Sequence, residues 1–208
     1  MEAIKKIELN KAFKIILIAI IGSFLLTISA KIKIPFYPVP MTMQTLVVLL
    51  IGITLGKKIG LLTVSLYMFE GIFGLPVFAG TPEKGIGFAY FIGPTGGYLV
   101  GFLVATYLAA SFKYTNCFDS HKFKLAKKNL PFFWVLRSAI TLPLKNFIKV
   151  IFAVSFIYIF GLLWLGFLIG WDKPIFQLGA HPFLLAELFK MLILSYVAGF
   201  FYKLKKII

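Results

Sequence analysis

Long apolar stretches that alternate with short lysine-rich segments constrain this chain more than any other feature of its sequence. The stretch from Phe13 to Ala30, for example, holds a single charged residue, Lys14. Hydrophobic residues make up 60% of the chain and charged residues 14%, whereas soluble domains carry roughly 25% charged residues. Because about 20 apolar residues in a helix cross the hydrocarbon core of a bilayer, the sequence predicts an all-α integral membrane protein.

Six apolar stretches are predicted to be transmembrane helices. The second and third are short and are separated only by Lys57 and Lys58. An apolar segment around Arg137, residues 136–143, is too short to cross the bilayer. It is expected to lie at the membrane interface or to extend the fifth span, with Pro143 near a helix start. The whole chain, 1–208, is expected to be one membrane-embedded domain with spans at residues 13–30, 43–56, 59–73, 95–112, 146–167 and 184–202.

The distribution of basic residues predicts how these helices are oriented. The chain has 22 Lys and Arg residues against 7 acids, which gives a formal net charge of +15. Short cytoplasmic loops collect basic residues. An arrangement with both termini in the cytoplasm makes every inner segment basic and leaves only Lys31, Lys33, Lys84 and Lys173 in the outer segments. The charge is interpreted as loop lysines that meet anionic membrane lipid, and no nucleic-acid partner is expected.

Residues suited to metal binding or catalysis are few. Cys117 is the single cysteine, and His121 and His181 fall in predicted loops on opposite sides of the membrane. No metal and no cofactor are therefore expected. The sequence lacks a Gly-x-Ser-x-Gly elbow, a His-Glu-x-x-His motif and a phosphate-binding Gly-Lys-Ser/Thr loop. The chain is thus not expected to hydrolyse ATP, and active transport would draw its energy from a partner or an ion gradient.

The predicted outer loops are apolar and rich in Gly and Pro. They comprise residues 34–40 and the stretch from Gly74 to Gly97, which holds Pro76, Pro82 and Pro94. Non-helical backbone cannot face lipid, because its N–H and C=O groups would have no partners there. These segments are expected to be structured and to fold over the helix ends or to line a cavity. A simple structured loop is the alternative, but apolar and aromatic segments gathered on one face favour a lid over a small-molecule pocket.

Four polar residues fall within or beside the predicted spans. Glu187 and Lys190, spaced i, i+3, share one face of the last helix, and charges inside a span usually pair or bind ligand. An ion pair near the interface, or a lysine that extends to the headgroups, is an equally good interpretation. Gln44 begins the second span, where a glutamine is more often a helix cap. Glu70, near the outer end of the third span, is a further candidate.

Several ordered motifs resemble those of the BioY family. Together they cover nearly the whole chain after residue 30, which makes the resemblance far more specific than hydropathy alone. They are, in order, residues 38–46 (PVPMTMQTL), 49–52 (LLIG), 74–80 (GLPVFAG), 93–102 (GPTGGYLVGF) and 157–165 (IYIFGLLWL), followed by Pro182, Phe183, Glu187 and Lys190.

The resemblance implies a six-helix vitamin-binding subunit, and not an enzyme. Such a subunit is the biotin-binding substrate component (S component) of an energy-coupling-factor (ECF) importer in the bacterial cytoplasmic membrane. It captures biotin from outside and pairs with a transmembrane coupling protein and two ATPase subunits. The family usually carries Asp where this chain has Glu187, with the lysine kept as Lys190, and Pro-Gly where this chain has Leu185 and Ala186.

The resemblance also implies which residues meet the ligand. Biotin offers a ureido ring with two N–H donors and a carbonyl, an apolar bicycle and a carboxylate. Glu187 can accept from a ureido N–H, and Lys190 can donate to a carbonyl or to the carboxylate, so which polar residue meets which end of biotin stays open at this point. Gln44 is a third polar candidate, and Phe78 and Tyr98 are expected to enclose the ring.

The coupling interface is expected on the first span. Ala19 and Ser23, with Gly22 beside them, form a small-xxx-small pattern that permits close approach of another helix. Ordinary internal packing is the alternative for such a pattern. Three other functions stay open at this point: a substrate component for another vitamin, an intramembrane enzyme, and an assembly subunit without a ligand.

Overall fold

The computed structural model describes residues 2–34, 39, 41–82, 85–117 and 132–205, and for residues 2–9, 34 and 132–140 it describes the backbone alone. The described chain is helical apart from two short antiparallel strands, β1 (Lys33–Ile34) and β2 (Met41–Thr42). A 3-10 turn (His181–Phe183) precedes the last helix. The helices are α1 (Glu2–Lys31), α2 (Gln44–Ile72), α3 (Phe88–Ile92), α4 (Gly96–Ser111), α5 (Phe132–Ile169), α6 (Ile175–Gly179) and α7 (Leu184–Leu204).

Helix α2 is a helical hairpin that reverses at Gly56. This residue has φ 77° and ψ −172°, a conformation that glycine adopts at little steric cost. A Cβ built on Gly60 would lie 3.5 Å from the Cα of Gly52, whereas a continuous helix would place these residues about 12 Å apart. Likewise, Gln44 donates a 2.7 Å hydrogen bond to Tyr67, 23 positions along the chain. The two halves of α2 correspond to the predicted second and third spans.

The predicted class, an all-α membrane protein, is confirmed. Among the described residues, four helical segments are long and apolar enough to cross a membrane, and α4 is a shorter apolar helix. The count of six spans requires that the two halves of α2 and the helix α4 each be counted, and it stays a prediction, as does the cytoplasmic location of both termini. The four long segments are Asn10–Lys31, Gln44–Ile72, Thr141–Ile169 and Ile175–Leu204.

Helix α5 is longer than the predicted fifth span. It runs without a break from Phe132 to Ile169, so the segment 136–143 extends this helix. The prediction that Pro143 lies near a helix start is wrong, because Pro143 lies well inside α5. Proline lacks the N–H that the helix interior uses, but membrane helices tolerate it because neighbouring groups satisfy the freed carbonyl.

Helix α4 packs between α2 and α5 at positions where glycine is required. A Cβ on Gly101 would lie 2.7 Å from the Cα of Ile157 in α5, and a Cβ on Gly52 would lie 2.5 Å from the carbonyl oxygen of Thr106 in α4. In lipid, where apolar surface gives no net drive to associate, helices are held by such close packing. These two contacts hold together α2, α4 and α5, three of the helices that contribute to the candidate site.

Helix α1 packs its small residues against the second half of α2. Ala19 and Ser23 are each 1% exposed, the Ser23 hydroxyl donates to the carboxylate of Glu70, and a Cβ on Gly22 would meet Thr63. Internal packing therefore describes these residues in this conformation. A role for Ala19 and Ser23 in coupling stays a prediction, since their side chains are covered here.

Some predicted features lie outside the described residues. Within the predicted outer loop 34–40, residues 35–38 and 40 are not described, whereas Val39 is buried. The segment 118–131, with His121 and four lysines, is not described either.

The close packing of α4 predicts that Gly101→Ala is destabilising. The added methyl group would press on the backbone of Ile157, and overpacking of this kind costs about 1–3 kcal/mol. Thermal unfolding in detergent micelles measures the effect, with Val100→Ala as the control because Val100 is 37% exposed on the neighbouring position. A Gly101→Ala variant that melts with the wild type would contradict the packing described for α4 and α5.

Candidate functional site

One cavity brings together all five residues that the sequence suggested as ligand contacts. Gln44, Phe78, Tyr98, Glu187 and Lys190 all line it. Its walls come from β2, the start of α2, the loop after α2, helices α3 to α5, and α7. The space between the lining atoms, including the part open to the surroundings, is about 570 Å³.

Lys190 is a buried ammonium that joins three parts of the chain at this cavity. It is 7% exposed. Its Nζ donates to the carbonyl oxygen of Thr42 at 2.9 Å, to Oγ1 of Thr45 at 2.9 Å and to Oε2 of Glu187 at 2.8 Å. An ammonium has three N–H donors, so protein oxygens accept all of them. A ligand acceptor that binds Lys190 must therefore displace one of these oxygens.

Glu187 has one carboxylate oxygen engaged and one without a partner. Oε2 accepts from Lys190 and, at 3.0 Å, from the hydroxyl of Tyr158. Oε1 is buried and has no hydrogen-bond partner among the described residues. Buried polar atoms in proteins are nearly always satisfied, and one without a partner in a cavity wall indicates a donor that arrives with a ligand.

The local sequence explains why Glu187 and Lys190 share this wall. Helix α7 begins directly after the 3-10 turn, and Glu187 lies in its first turn, where the helix dipole favours a negative charge. The i, i+3 spacing places Lys190 on the same face. The strand pair of β1 and β2 presents the carbonyl of Thr42 to that face.

The side chain of Gln44 forms a hydrogen bond with another part of the chain and does not cap the N-terminus of α2. Its Nε2 donates to the hydroxyl of Tyr67 at 2.7 Å, and that hydroxyl donates to the carbonyl of Val77 at 3.1 Å. The N-terminus of α2 has no side-chain cap. Gln44 therefore connects the cavity wall to the loop that follows α2, and the alternative of a helix cap is not what the structure shows.

Phe78 and Tyr98 are held in place by aromatic and polar neighbours. Phe78 is 1% exposed and stacks on Tyr90 with ring centroids 5.0 Å apart. Tyr98 meets Tyr158 edge-on at 6.2 Å, and its hydroxyl donates to the carbonyl of Gly179 at 2.8 Å. These aromatic side chains give the cavity apolar walls around the charged pair.

Five lining residues with polar side chains were missed by sequence reasoning. Thr42 and Thr45 fall inside the quoted motif 38–46, Thr95 falls inside 93–102, and Tyr158 falls inside 157–165. These residues could therefore have been named from the motifs, but the sequence does not show that their oxygen atoms point into the cavity. Tyr90 lies in the Gly- and Pro-rich stretch, where no spacing indicated that its ring faces the cavity.

The remaining candidates lie elsewhere. Glu70 is absent from the cavity lining and accepts from Ser23. His181 is exposed on the 3-10 turn. Within the described ranges, no group of three or more His, Cys, Asp or Glu residues is placed to hold a metal ion.

Comparison with known proteins gives consistent results. A family model, described as the BioY family, matches residues 4–206. A protein of Pyrococcus horikoshii named "Probable biotin transporter BioY" is 30% identical over 180 residues, which are 86% of this chain and 90% of the relative. "Biotin transporter BioY" of Thermotoga maritima is 33% identical over 174 residues, which are 84% and 87% of the two chains.

A solved structure has the same fold. It is described as the "S-component for biotin from an ECF-type ABC transporter", at 2.1 Å. The likeness covers 93% of both chains with a TM-score of 0.60 and 23% identity. The family match extends over nearly all of the sequence, and the resemblance in its ordered motifs is thereby confirmed: this chain belongs to the BioY family.

Proposed function

We propose that this chain binds biotin in the described cavity and serves as the substrate-binding subunit of an ECF importer. The observation that carries the proposal is the buried Oε1 of Glu187, which lacks a partner and lies beside a charged lysine in an aromatic-lined cavity. The two relatives named as biotin transporters support biotin over another vitamin.

The chemistry of biotin matches this arrangement. A ureido N–H supplies the donor that Oε1 of Glu187 lacks, and the charged acceptor strengthens that hydrogen bond. Phe78 and Tyr98 offer apolar surface to the bicycle. Lys190 donates to a biotin oxygen by exchanging one of its three protein acceptors, two of which are uncharged, the carbonyl of Thr42 and the hydroxyl of Thr45.

The proposal includes an orientation in the bacterial cytoplasmic membrane. The cavity lies where α1 ends and α2 and α7 begin, and this end faces outside. At the opposite end, a Cβ on Gly56 would lie 2.7 Å from the side chain of Lys205, which donates to the carbonyl of Ala110 at 3.1 Å. Lys57 and Lys58 follow the Gly56 turn. This lysine-rich end meets anionic lipid and faces the cytoplasm, where a coupling protein and two ATPases act.

Replacement of the charged pair should weaken biotin binding. In Glu187→Gln the one remaining oxygen stays with the donors Lys190 and Tyr158, so an amide nitrogen faces the ureido N–H, which loses its acceptor. An unsatisfied buried donor costs about 1–3 kcal/mol, and we expect at least about a tenfold loss of affinity, which equals about 1.4 kcal/mol. Isothermal titration of the detergent-purified chain with biotin measures this loss.

The controls separate the site from the fold. Lys190→Met alone leaves a buried carboxylate unpaired, which is strongly destabilising, so it is compared with the double variant Lys190→Met/Glu187→Gln. Glu70→Gln is the matched control, because Glu70 does not line the cavity. Full affinity in Glu187→Gln and in a folded double variant would place the site elsewhere. A folded wild type that binds no biotin would overturn the assignment.

Uptake should require the energising module. Cells without their own biotin importer should accumulate external biotin when they express this chain with a coupling protein and two active ATPases, and should fail to do so when the ATPases are inactive.

The proposed orientation can be tested in the same cells. A membrane-impermeant thiol reagent should label Lys173→Cys and spare Lys57→Cys. Uptake that is independent of the ATPases, or the reverse labelling pattern, would contradict this part of the proposal.

A further inference from the structure

The loop that follows α2 forms one wall of the cavity. Its residues Phe78 and Ala79 line the cavity, and both are buried. Phe78 also meets Tyr67 edge-on, with ring centroids 5.4 Å apart. The loop has no regular secondary structure. Within it, the carbonyl of Phe78 accepts from the N–H and the hydroxyl of Thr81, and further donors come from outside the loop.

Side chains from three helices bind successive carbonyls of this loop. Tyr67 of α2 donates to Val77, and Tyr90 of α3 donates to Ala79. From α1, Lys31 donates to the carbonyl of Phe78 at 3.1 Å, and also to the carbonyl and hydroxyl oxygens of Thr81, both at 3.2 Å. Lys31 thus spans the loop from the residue that lines the cavity to its far end.

The contact of Lys31 differs from those of the two tyrosines in three ways. It is charge-assisted, and charge-assisted hydrogen bonds are stronger than neutral ones, although the side chain of Lys31 is itself exposed and solvent reduces this advantage. Lys31 is the last residue of α1, where the helix dipole favours a cation. Finally, none of the described α1 residues lines the cavity, whereas Tyr90 does. Among the described residues, Lys31 is therefore connected to the cavity through its contacts with the loop.

We propose that Lys31 is a positioning residue for the biotin site, which clamps the loop 77–81 so that Phe78 closes the cavity wall. Lys31 is not among the residues that line the cavity, and it acts through the loop oxygens that it binds, the carbonyls of Phe78 and Thr81 and the hydroxyl of Thr81. Release of this clamp frees the loop and opens a route for the ligand. The inference rests on the proposed function for its ligand, but the clamp itself is a property of the loop that can be measured without biotin.

The test is Lys31→Met, which keeps the length of the side chain and removes its donors. Hydrogen–deuterium exchange of the ligand-free chain should become about tenfold faster in a peptide spanning residues 74–82, the change expected for the loss of a charge-assisted hydrogen bond. A peptide from α4, residues 96–111, should exchange as in the wild type. Biotin should also dissociate about tenfold faster, as followed by stopped-flow fluorescence.

Two comparison variants make the result specific. Lys31→Arg keeps the charge and N–H donors, so both exchange and dissociation should lie closer to the wild type in this variant than in Lys31→Met. Lys173→Met removes an exposed lysine from the connection between α5 and α6 and should change neither.

Each outcome decides one of the two proposals. Unchanged exchange in residues 74–82, or equal acceleration in α4, would overturn the clamp. Faster exchange with unchanged biotin dissociation would overturn its role at the site. A wild type that binds no biotin would overturn the proposed function, and the exchange result would still decide whether Lys31 holds the loop.

Discussion

The ammonium of Lys190 is the interaction on which the candidate site depends. It connects α7 to β2 and to the start of α2 through hydrogen bonds of 2.8–2.9 Å, and one of these bonds closes on a residue 148 positions away in the sequence. A buried charge must be paired and fully hydrogen-bonded to be tolerated. Glu187 supplies the opposite charge and keeps one oxygen for a further donor. The pair that connects these parts of the wall therefore also offers a hydrogen-bond acceptor to a ligand.

The helices around this pair are held by close backbone contacts. Gly56 lets α2 reverse, which brings Gln44 at its start beside Tyr67 near its end. Gly101 lets α4 approach α5, and the cavity-lining side chains of both helices then face one another. Carbonyl groups of the loop after α2 accept hydrogen bonds from the side chains of Lys31, Tyr67 and Tyr90. Backbone groups near the hydrocarbon core need such partners, because lipid offers none. The closely packed helices and the loop held by side chains together form the walls of the cavity.

Much of this architecture follows from local sequence. Lys57 and Lys58 could not lie in mid-membrane, which predicted the break in α2, and the i, i+3 spacing predicted the contact of Glu187 with Lys190. Partners far apart in the chain were not predictable in the same way. The oxygen atoms of Thr42 and Tyr158 reach the charged pair only through tertiary packing, and no periodicity encodes their direction.

Small residues show most clearly what the local sequence cannot predict about tertiary packing. Ala19 and Ser23 have the spacing of a helix contact, and they do form one, but the spacing does not tell which helix is the neighbour. Pro143 is a second case in which the local sequence led to the wrong expectation. The usual rule places proline at a helix start, yet the continuous α5 accommodates it because the surrounding structure overrides the local preference.

The most direct test of the account is an experimental structure of the chain with biotin bound. The account predicts the bicycle between Phe78 and Tyr98, with a ureido nitrogen within hydrogen-bond distance of Oε1 of Glu187, the acceptor that has no partner in the described chain. Biotin found outside this cavity, or inside it with Oε1 of Glu187 still unpartnered, would contradict the central claim.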